Sequence, residues 1–497
     1  MNALPEHPET ATTSEGSDIS VAVPPPGCPA HEAVRLYGGE AAADPVGLYE
    51  KLRARHGAVA PVLIEGDVPA WLVLGYRENM DAARNASRFS RDSRLWRDWN
   101  EGNVKPDSPL IPMVGWRPDC VSQDGEAHRR LRAAVNDSLA RFDKRGVRRH
   151  IQRYADLLVD GFAGDGEAEL ISRYADQLPM RVLTHLFGMS EETGPRLVEA
   201  CAGLIKGGEK ALEYNEYVGR VLSELAESKR ARPSHDFASW LIEHPAGLTE
   251  DEVQNHLRLV LIAANETTTA LIANTLRMVL TDPRFRASLT GGLMTVPDAV
   301  EQVLWDAPPL AVCPARFATA DMEFGGRRVR AGDLLLLGLA AGNADPAVRP
   351  DPATSMQGNR SHLAFSRGPH ECPGQDIARA ITDTAVDALL ARLPDIHLSV
   401  SEATLTWNSS TWSRHLDTLP AAFTPRRPGP PATATAPPPD PSTLHTLSAQ
   451  ATEVPPATPL TSGMAQRPGS AGIRAARGGQ PVRISLWRHV LRRLFRR

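Results

Sequence analysis

The chain has 497 residues, 42% hydrophobic and 23% charged, so an ordinary buried core is available and wholesale disorder is excluded. Formal net charge is −4, but residues 427–497 carry ten Arg against Asp440 and Glu453, which leaves the rest near −12 and argues against a nucleic-acid-binding body. Five scattered cysteines (Cys28, Cys120, Cys201, Cys313 and Cys372) include no Cys-x-x-Cys pair, which fits a reducing cytoplasm without a disulfide framework, and no run of about 18 uncharged apolar residues is present to span a bilayer.

In chain order, residues 1–30 form an acidic leader with Pro24-Pro25-Pro26 and, up to residue 27, no Lys or Arg, the reverse of a signal or transit peptide. Residues 31–426 alternate helical patterns with short turn-bounded strands, which predicts one large, mainly α domain with small β-sheets. Three- and four-residue apolar spacing predicts helices over 148–162, 169–187 and 196–230. The clearest helix opens at Thr249, with Glu252 completing a capping box, and stops before Asp282-Pro283. At roughly 30 residues it is far longer than the usual 11–12, as expected of a helix that crosses the centre of a large helical domain. Strands are predicted within 316–329 and 334–339, with turns at Gly325-Gly326 and Ala331-Gly332-Asp333. Residues 427–471 are mostly Pro, Ala, Thr and Ser and predict a disordered linker. The basic tail 472–497 ends in an amphipathic pattern, with Leu486, Trp487, Val490, Leu491, Leu494 and Phe495 opposite an Arg-rich face. Three readings of that tail stay open: a solvated terminus, peripheral attachment to anionic lipid, or docking of an acidic partner through 486–497.

The most informative segment is Phe365-Ser366-Arg367-Gly368-Pro369-His370-Glu371-Cys372-Pro373-Gly374. An isolated cysteine is usually core filling. Here Phe, Gly, a basic residue, Cys and Gly at this spacing, followed by a helix predicted over 375–393, meet every fixed position of the haem-binding loop of the cytochrome P-450 family, which the chain resembles over about residues 30–425. The chemistry accounts for the pattern: a glycine turn lets backbone N–H groups approach the sulfur, and the positive end of the following helix favours a thiolate. A thiolate axial ligand in turn pushes electron density to iron.

The resemblance implies a cytochrome P-450 fold, haem b (iron protoporphyrin IX) as cofactor and Cys372 as its metal ligand. Phe365 and Gly374 are expected beside the sulfur, and His128, Arg132, Arg316 and His370 on the haem propionates. It also matches Ala263-Ala264-Asn265-Glu266-Thr267-Thr268 to the oxygen-activating segment, with Thr267 stabilising bound dioxygen and Glu266 helping to deliver protons through water. The structural alternative is a threonine bonded back to a carbonyl one turn earlier. Ala264 stands where the family usually has Gly.

The family's Glu-x-x-Arg pair is missing. Aligned through Pro308-Pro309, its positions hold Gln302 and Trp305, and the Arg expected later in the meander is Thr354. Glu301 does not restore the pair, because Leu304 lies three residues on. Loss of all three charges together is tolerable where loss of one is not, since an orphaned buried charge costs roughly 3–5 kcal/mol. Gln302 and the Trp305 indole are expected to form a neutral substitute. The implied activity is insertion of one oxygen atom of dioxygen into a small organic substrate. Its electrons are expected from a separate ferredoxin and ferredoxin reductase, because no flavin or iron–sulfur segment is fused. A haem-binding sensor or accessory protein of the same fold, with little or no turnover, is the alternative. Wall segments of the substrate pocket are expected at 91–115 and 201–217.

Overall fold

The computed structural model describes residues 33–206, 211–351 and 353–426. The leader 1–30, the linker 427–471 and the basic tail 472–497 with its amphipathic pattern lie outside the described residues.

Strands β1 (Val34–Arg35), β2 (Val59–Ile64), β3 (Val68–Val73), β4 (Phe89–Ser90), β5 (Val312–Ala318) and β6 (Leu334–Gly338) form a mixed sheet in the order β1-β2-β3-β6-β5-β4. β2 and β3 are an antiparallel hairpin, and β3 runs parallel to β6 with Trp71 opposite Leu335. β6 is antiparallel to β5, which carries Arg316. A late hairpin joins β7 (Trp407–Ser409) to β8 (Arg414–Leu416).

The helices that matter for the site are α1 (Gly125–Ala140), α2 (Lys144–Asp160), α3 (Gln177–Phe187), α4 (Glu250–Thr281), α5 (Val296–Asp306) and α6 (Gln375–Arg392). The largest core forms where α2, α3, α5 and α6 close around the second half of α4, through Ile151, Tyr154, Leu186, Leu271, Val300 and Leu389. Each such side chain stabilises by about 1.5–3 kcal/mol on burial. A second core lies under the sheet, with Val62, Leu72, Phe317 and Leu336.

Helix α4 is 32 residues long for the reasons its sequence gives. The Thr249 hydroxyl accepts from the Glu252 amide at 3.2 Å and the Glu252 carboxylate accepts from the Thr249 amide at 2.9 Å. No Gly or Pro interrupts residues 250–281, and Pro283 bars continuation. By length and composition α4 could cross a membrane, but it is packed within the core. Residues 268–276 are all buried, whereas Ala263 is exposed and Ala264, Glu266 and Thr267 are half-buried, so the helix opens to space at its midpoint.

Two predicted helices differ from the observed ones. Residues 169–187 begin instead as a strand, Glu167–Glu169, paired with Pro420–Ala422, followed by a π-turn at Ile171–Ala175 and only then α3. The Glu169 carboxylate causes this: it accepts from the amides of Ile171 (3.0 Å), Ser172 (2.6 Å) and the distant Leu419 (2.6 Å). The stretch 196–230 is two helices, Gly194–Lys206 and Ala211–Ala231. Residues 207–210, within the expected pocket wall, lie outside the described residues.

Candidate active site

The loop before α6 is built around its cysteine. Gly368 sits at φ +76°, and a Cβ there would lie 2.6 Å from the Ala83 carbonyl, so this position admits only glycine. The Cys372 amide donates to the Phe365 carbonyl at 2.9 Å and closes the loop. The Gly374 amide, at the start of α6, favours the ionised sulfur. Burial pushes the Cys372 thiol up, opposed by that amide and by the charges of Arg132 and Arg379.

Four of the sequence-predicted residues gather beside this loop. His128 and Arg132 lie one turn apart on α1; the His128 ring is buried 4.2 Å from the His370 ring. Arg132 donates to the Glu371 carbonyl, next to Cys372, and to Asn136 at 2.8 Å. Arg316, on β5, is 2% exposed, and its hydrogen bond among the described residues goes to the neighbouring Ala315 carbonyl. Burial, reinforced by Arg91, lowers its charge affinity to about 9.

Two further members went unrecognised in the sequence. Asp124 accepts from Ser90 Oγ (2.6 Å), the Arg91 amide (2.8 Å) and His370 Nε2 (3.2 Å), contacts that hold its carboxyl at about 2 although burial opposes them. Its position just before α1 hints at a helix cap, yet its side chain makes no cap bond and is used here instead. Arg91, read from sequence only as the start of a variable pocket segment, donates to the carbonyls of Val121 and Ala315, both at 2.9 Å.

The cluster is short of negative charge. Arg91, Arg316, His128 and His370 surround the single carboxylate of Asp124. Burial drives His370 down to about 3 and lowers His128 as well. His128 Nε2 and His370 Nδ1 are buried with no hydrogen-bond partner. Orphaned nitrogens and an unmatched guanidinium fit a ligand with carboxylates, which would pair with all three and raise both histidines. The two propionates of haem have that chemistry.

On α4 the Thr267 hydroxyl donates to the Ala263 carbonyl at 2.7 Å, the local bond weighed as its structural alternative. Glu266 is 3.1 Å from His415 Nε2 on β8, a partner with no sequence signal. His415 loses charge affinity to burial but gains more from Glu266, so it is raised on balance. Among the described residues, no hydrogen bond or ion pair joins Thr267 or Glu266 to the cysteine loop.

Around the missing Glu-x-x-Arg pair the structure corrects one expectation. Gln302 accepts from the Met356 amide (2.8 Å) and donates to Asp306 (2.8 Å), and the Trp305 indole donates to the Asn359 carbonyl at 2.7 Å. These neutral bonds staple α5 to the meander rather than join the two side chains to each other. The region is not uncharged, however. Asp306 pairs with Arg349, whose Nη2 reaches the Thr354 carbonyl at 3.2 Å, and Glu301 pairs with Arg379 and His362. Glu301 finds its partners on α6 and at the entry of the cysteine loop, so the residue three positions on in its own helix is immaterial.

A part-buried thiol at a helix N-terminus, beside a cradle of cations and orphaned imidazole nitrogens suited to carboxylates, is the arrangement of a haem-thiolate protein. No protein-family model matches the chain. It is 31% identical over 376 residues to 2-hydroxy-5-methyl-1-naphthoate 7-hydroxylase of Streptomyces carzinostaticus, covering 72% of this chain and 90% of that protein. It is also 31% identical over 393 residues to the cytochrome P450 monooxygenase PikC of Streptomyces venezuelae, covering 77% and 92%. Testosterone-bound CYP154C4 from Streptomyces sp. ATCC 11861 superposes with a TM-score of 0.74 at 28% identity, covering 79% of this chain and 98% of that one. The chain belongs to the cytochrome P-450 family: it is a bacterial haem-thiolate monooxygenase with haem b as cofactor.

Proposed function

We propose that residues 31–426 form the catalytic domain, working in the cytoplasm, and that Cys372 is the iron ligand. In this reading His128, Arg132, Arg316 and His370 hold the haem propionates, and Arg132 also braces the Glu371 carbonyl beside the sulfur. Phe365 and Gly374 shield and hydrogen-bond the sulfur. The bound cofactor supplies dioxygen activation, with thiolate donation favouring O–O cleavage. One oxygen atom enters a C–H bond of a small organic substrate and the other leaves as water, consuming two electrons and two protons.

The Thr267 hydroxyl donates its hydrogen bond to the Ala263 carbonyl, which leaves its oxygen lone pairs to accept from water at the open midpoint of α4. Glu266, half-buried and paired with His415, moves a proton between that water and the interior. Two of the similar proteins meet compounds of the class envisaged: one is a naphthoate hydroxylase and the other holds a bound steroid. Electrons come from a separate ferredoxin and its reductase.

The observation that carries this reading is the convergence of Cys372 with the orphaned His128 Nε2, His370 Nδ1 and Arg316 in one cluster. A reduced carbon-monoxide difference spectrum of the purified chain should show the long-wavelength Soret band of a thiolate-ligated haem, and Cys372→Ser should abolish it. Retention of that band after the substitution would defeat the assignment. With a ferredoxin system, Thr267→Ala should divert electrons from product to peroxide. Unchanged coupling would remove Thr267 from the mechanism.

A further inference from the structure

Glu301 is a heavily engaged buried acid. It is 3% exposed on α5, yet both its oxygens are paired. Oε1 accepts from Arg379 Nε at 2.6 Å and lies 3.4 Å from Arg360 Nε. Oε2 lies 3.0 Å from His362 Nε2 and 3.3 Å from Arg379 Nη2. Together these contacts hold the carboxyl at about 2 against its burial.

The contacts continue to the cysteine. Arg379 is 9% exposed on α6, two turns after Cys372, with Nη1 on Gln375 at 3.1 Å. Its guanidinium lies over the Phe365 ring, 4.6 Å from the centroid. The His362 ring sits 5.8 Å from the same ring, and its Nδ1 accepts from the Ala364 amide at 3.2 Å. The Phe365 carbonyl is the acceptor for the Cys372 amide. One carboxylate thus fixes the entry of the cysteine loop at His362, its middle at Phe365 and its exit at Arg379.

We propose that Glu301, locked by Arg379 and His362, is the positioning residue of the cysteine loop and does here the work left vacant by the neutral Gln302, Trp305 and Thr354. The inference rests on Cys372 being the iron ligand. The geometry favours a specific device over general core stability. A planar guanidinium that both forks a carboxylate and stacks on an aromatic ring fixes two elements in one orientation. Moving the carboxylate one residue along α5 would turn it by about 100°, away from Arg379 and towards Asp306, the group that Gln302 now contacts.

The test uses full-length, haem-loaded protein and follows two readouts: the thermal midpoint and the rate at which the ferrous carbonyl loses its thiolate-type Soret band. Glu301→Gln should convert to the neutral-thiol form about tenfold faster than wild type, and Arg379→Lys, which keeps the charge but loses fork and stack, should follow it. Gln302→Ala serves as the control for damage to α5: it should lower the thermal midpoint while the band persists. Glu301→Gln/Gln302→Glu should fail to restore the wild-type rate.

The proposal falls if Glu301→Gln and Arg379→Lys keep the wild-type rate, or if the double substitution recovers it. It also falls if Gln302→Ala accelerates the conversion as much as Glu301→Gln does. Where Glu301→Gln does not take up haem, Arg379→Lys decides. A wild-type chain that lacks the thiolate band, or keeps it after Cys372→Ser, overturns the ligand assignment instead.

Discussion

Asp383 is a buried acid placed where a neutral residue would be more stable. It lies on α6, 5% exposed, and its Oδ1 is buried with no hydrogen-bond partner. The nearest cation is Arg148 Nη2, 3.7 Å from Oδ2 and itself more than half exposed, too distant for a good hydrogen bond. Burial, with Asp387 one turn on and Glu301 adding repulsion, raises the carboxyl from 3.8 to about 6. The folded chain therefore binds this proton more tightly than the unfolded chain. The benefit is complete below about pH 4 and is lost as pH climbs through about 6. The gap corresponds to about 3 kcal/mol of strain in the ionised, folded protein at neutral pH.

Asp383→Asn keeps the shape and removes the charge. Allowing about 1 kcal/mol for an imperfectly bonded amide, the variant should gain about 2 kcal/mol near pH 8. The gain should cross zero near about pH 4.5 and become a loss approaching about 1 kcal/mol below about pH 4. Urea unfolding of the haem-loaded pair across that range, read as midpoint times slope, measures it directly. A variant less stable than wild type near pH 8, or a gain independent of pH, would refute the reasoning.

Other perturbations follow from the same geometry. Arg316→Met should act in opposite directions on the two forms of the protein. The haem-free chain should gain about 1–3 kcal/mol by shedding an unmatched buried charge, while transfer of haem to a scavenging globin should accelerate; destabilisation of the haem-free form would contradict the cradle. Gln302→Glu/Trp305→Arg, with Thr354 left in place, should cost about 3–5 kcal/mol. It sets a carboxylate against Asp306 and replaces the 2%-exposed Trp305, which holds Asn359. Unchanged or higher stability in urea unfolding would count against the neutral staple.

What was legible in the sequence was local. The cysteine loop needs a glycine at Gly368, an aromatic at Phe365 and a helix start at Gly374, all within ten residues, so its resemblance to the family's haem-binding loop is legible in the sequence. The long helix is equally readable, because Thr249, Glu252 and Pro283 are start and stop signals that act within one turn. His128 and Arg132 share a helix face for the same reason. Spacing misled where a distant group intervened: Glu169 looks like the start of a helix until the amide of Leu419, 250 residues later, captures its carboxylate.

The tertiary structure decided the partners. Asp124 meets His370 across 246 residues, Glu266 meets His415 across 149, and Glu301 meets Arg379 across 78. No local pattern encodes such pairs, because a buried charge is satisfied by whatever group the packing brings within about 3 Å, whatever its distance along the chain. A motif search looks for an acid's cation three residues on in the same helix. In this chain the cation arrives on another helix altogether, which is why the sequence marks Cys372 and its loop while only the fold shows that Glu301 pairs with Arg379.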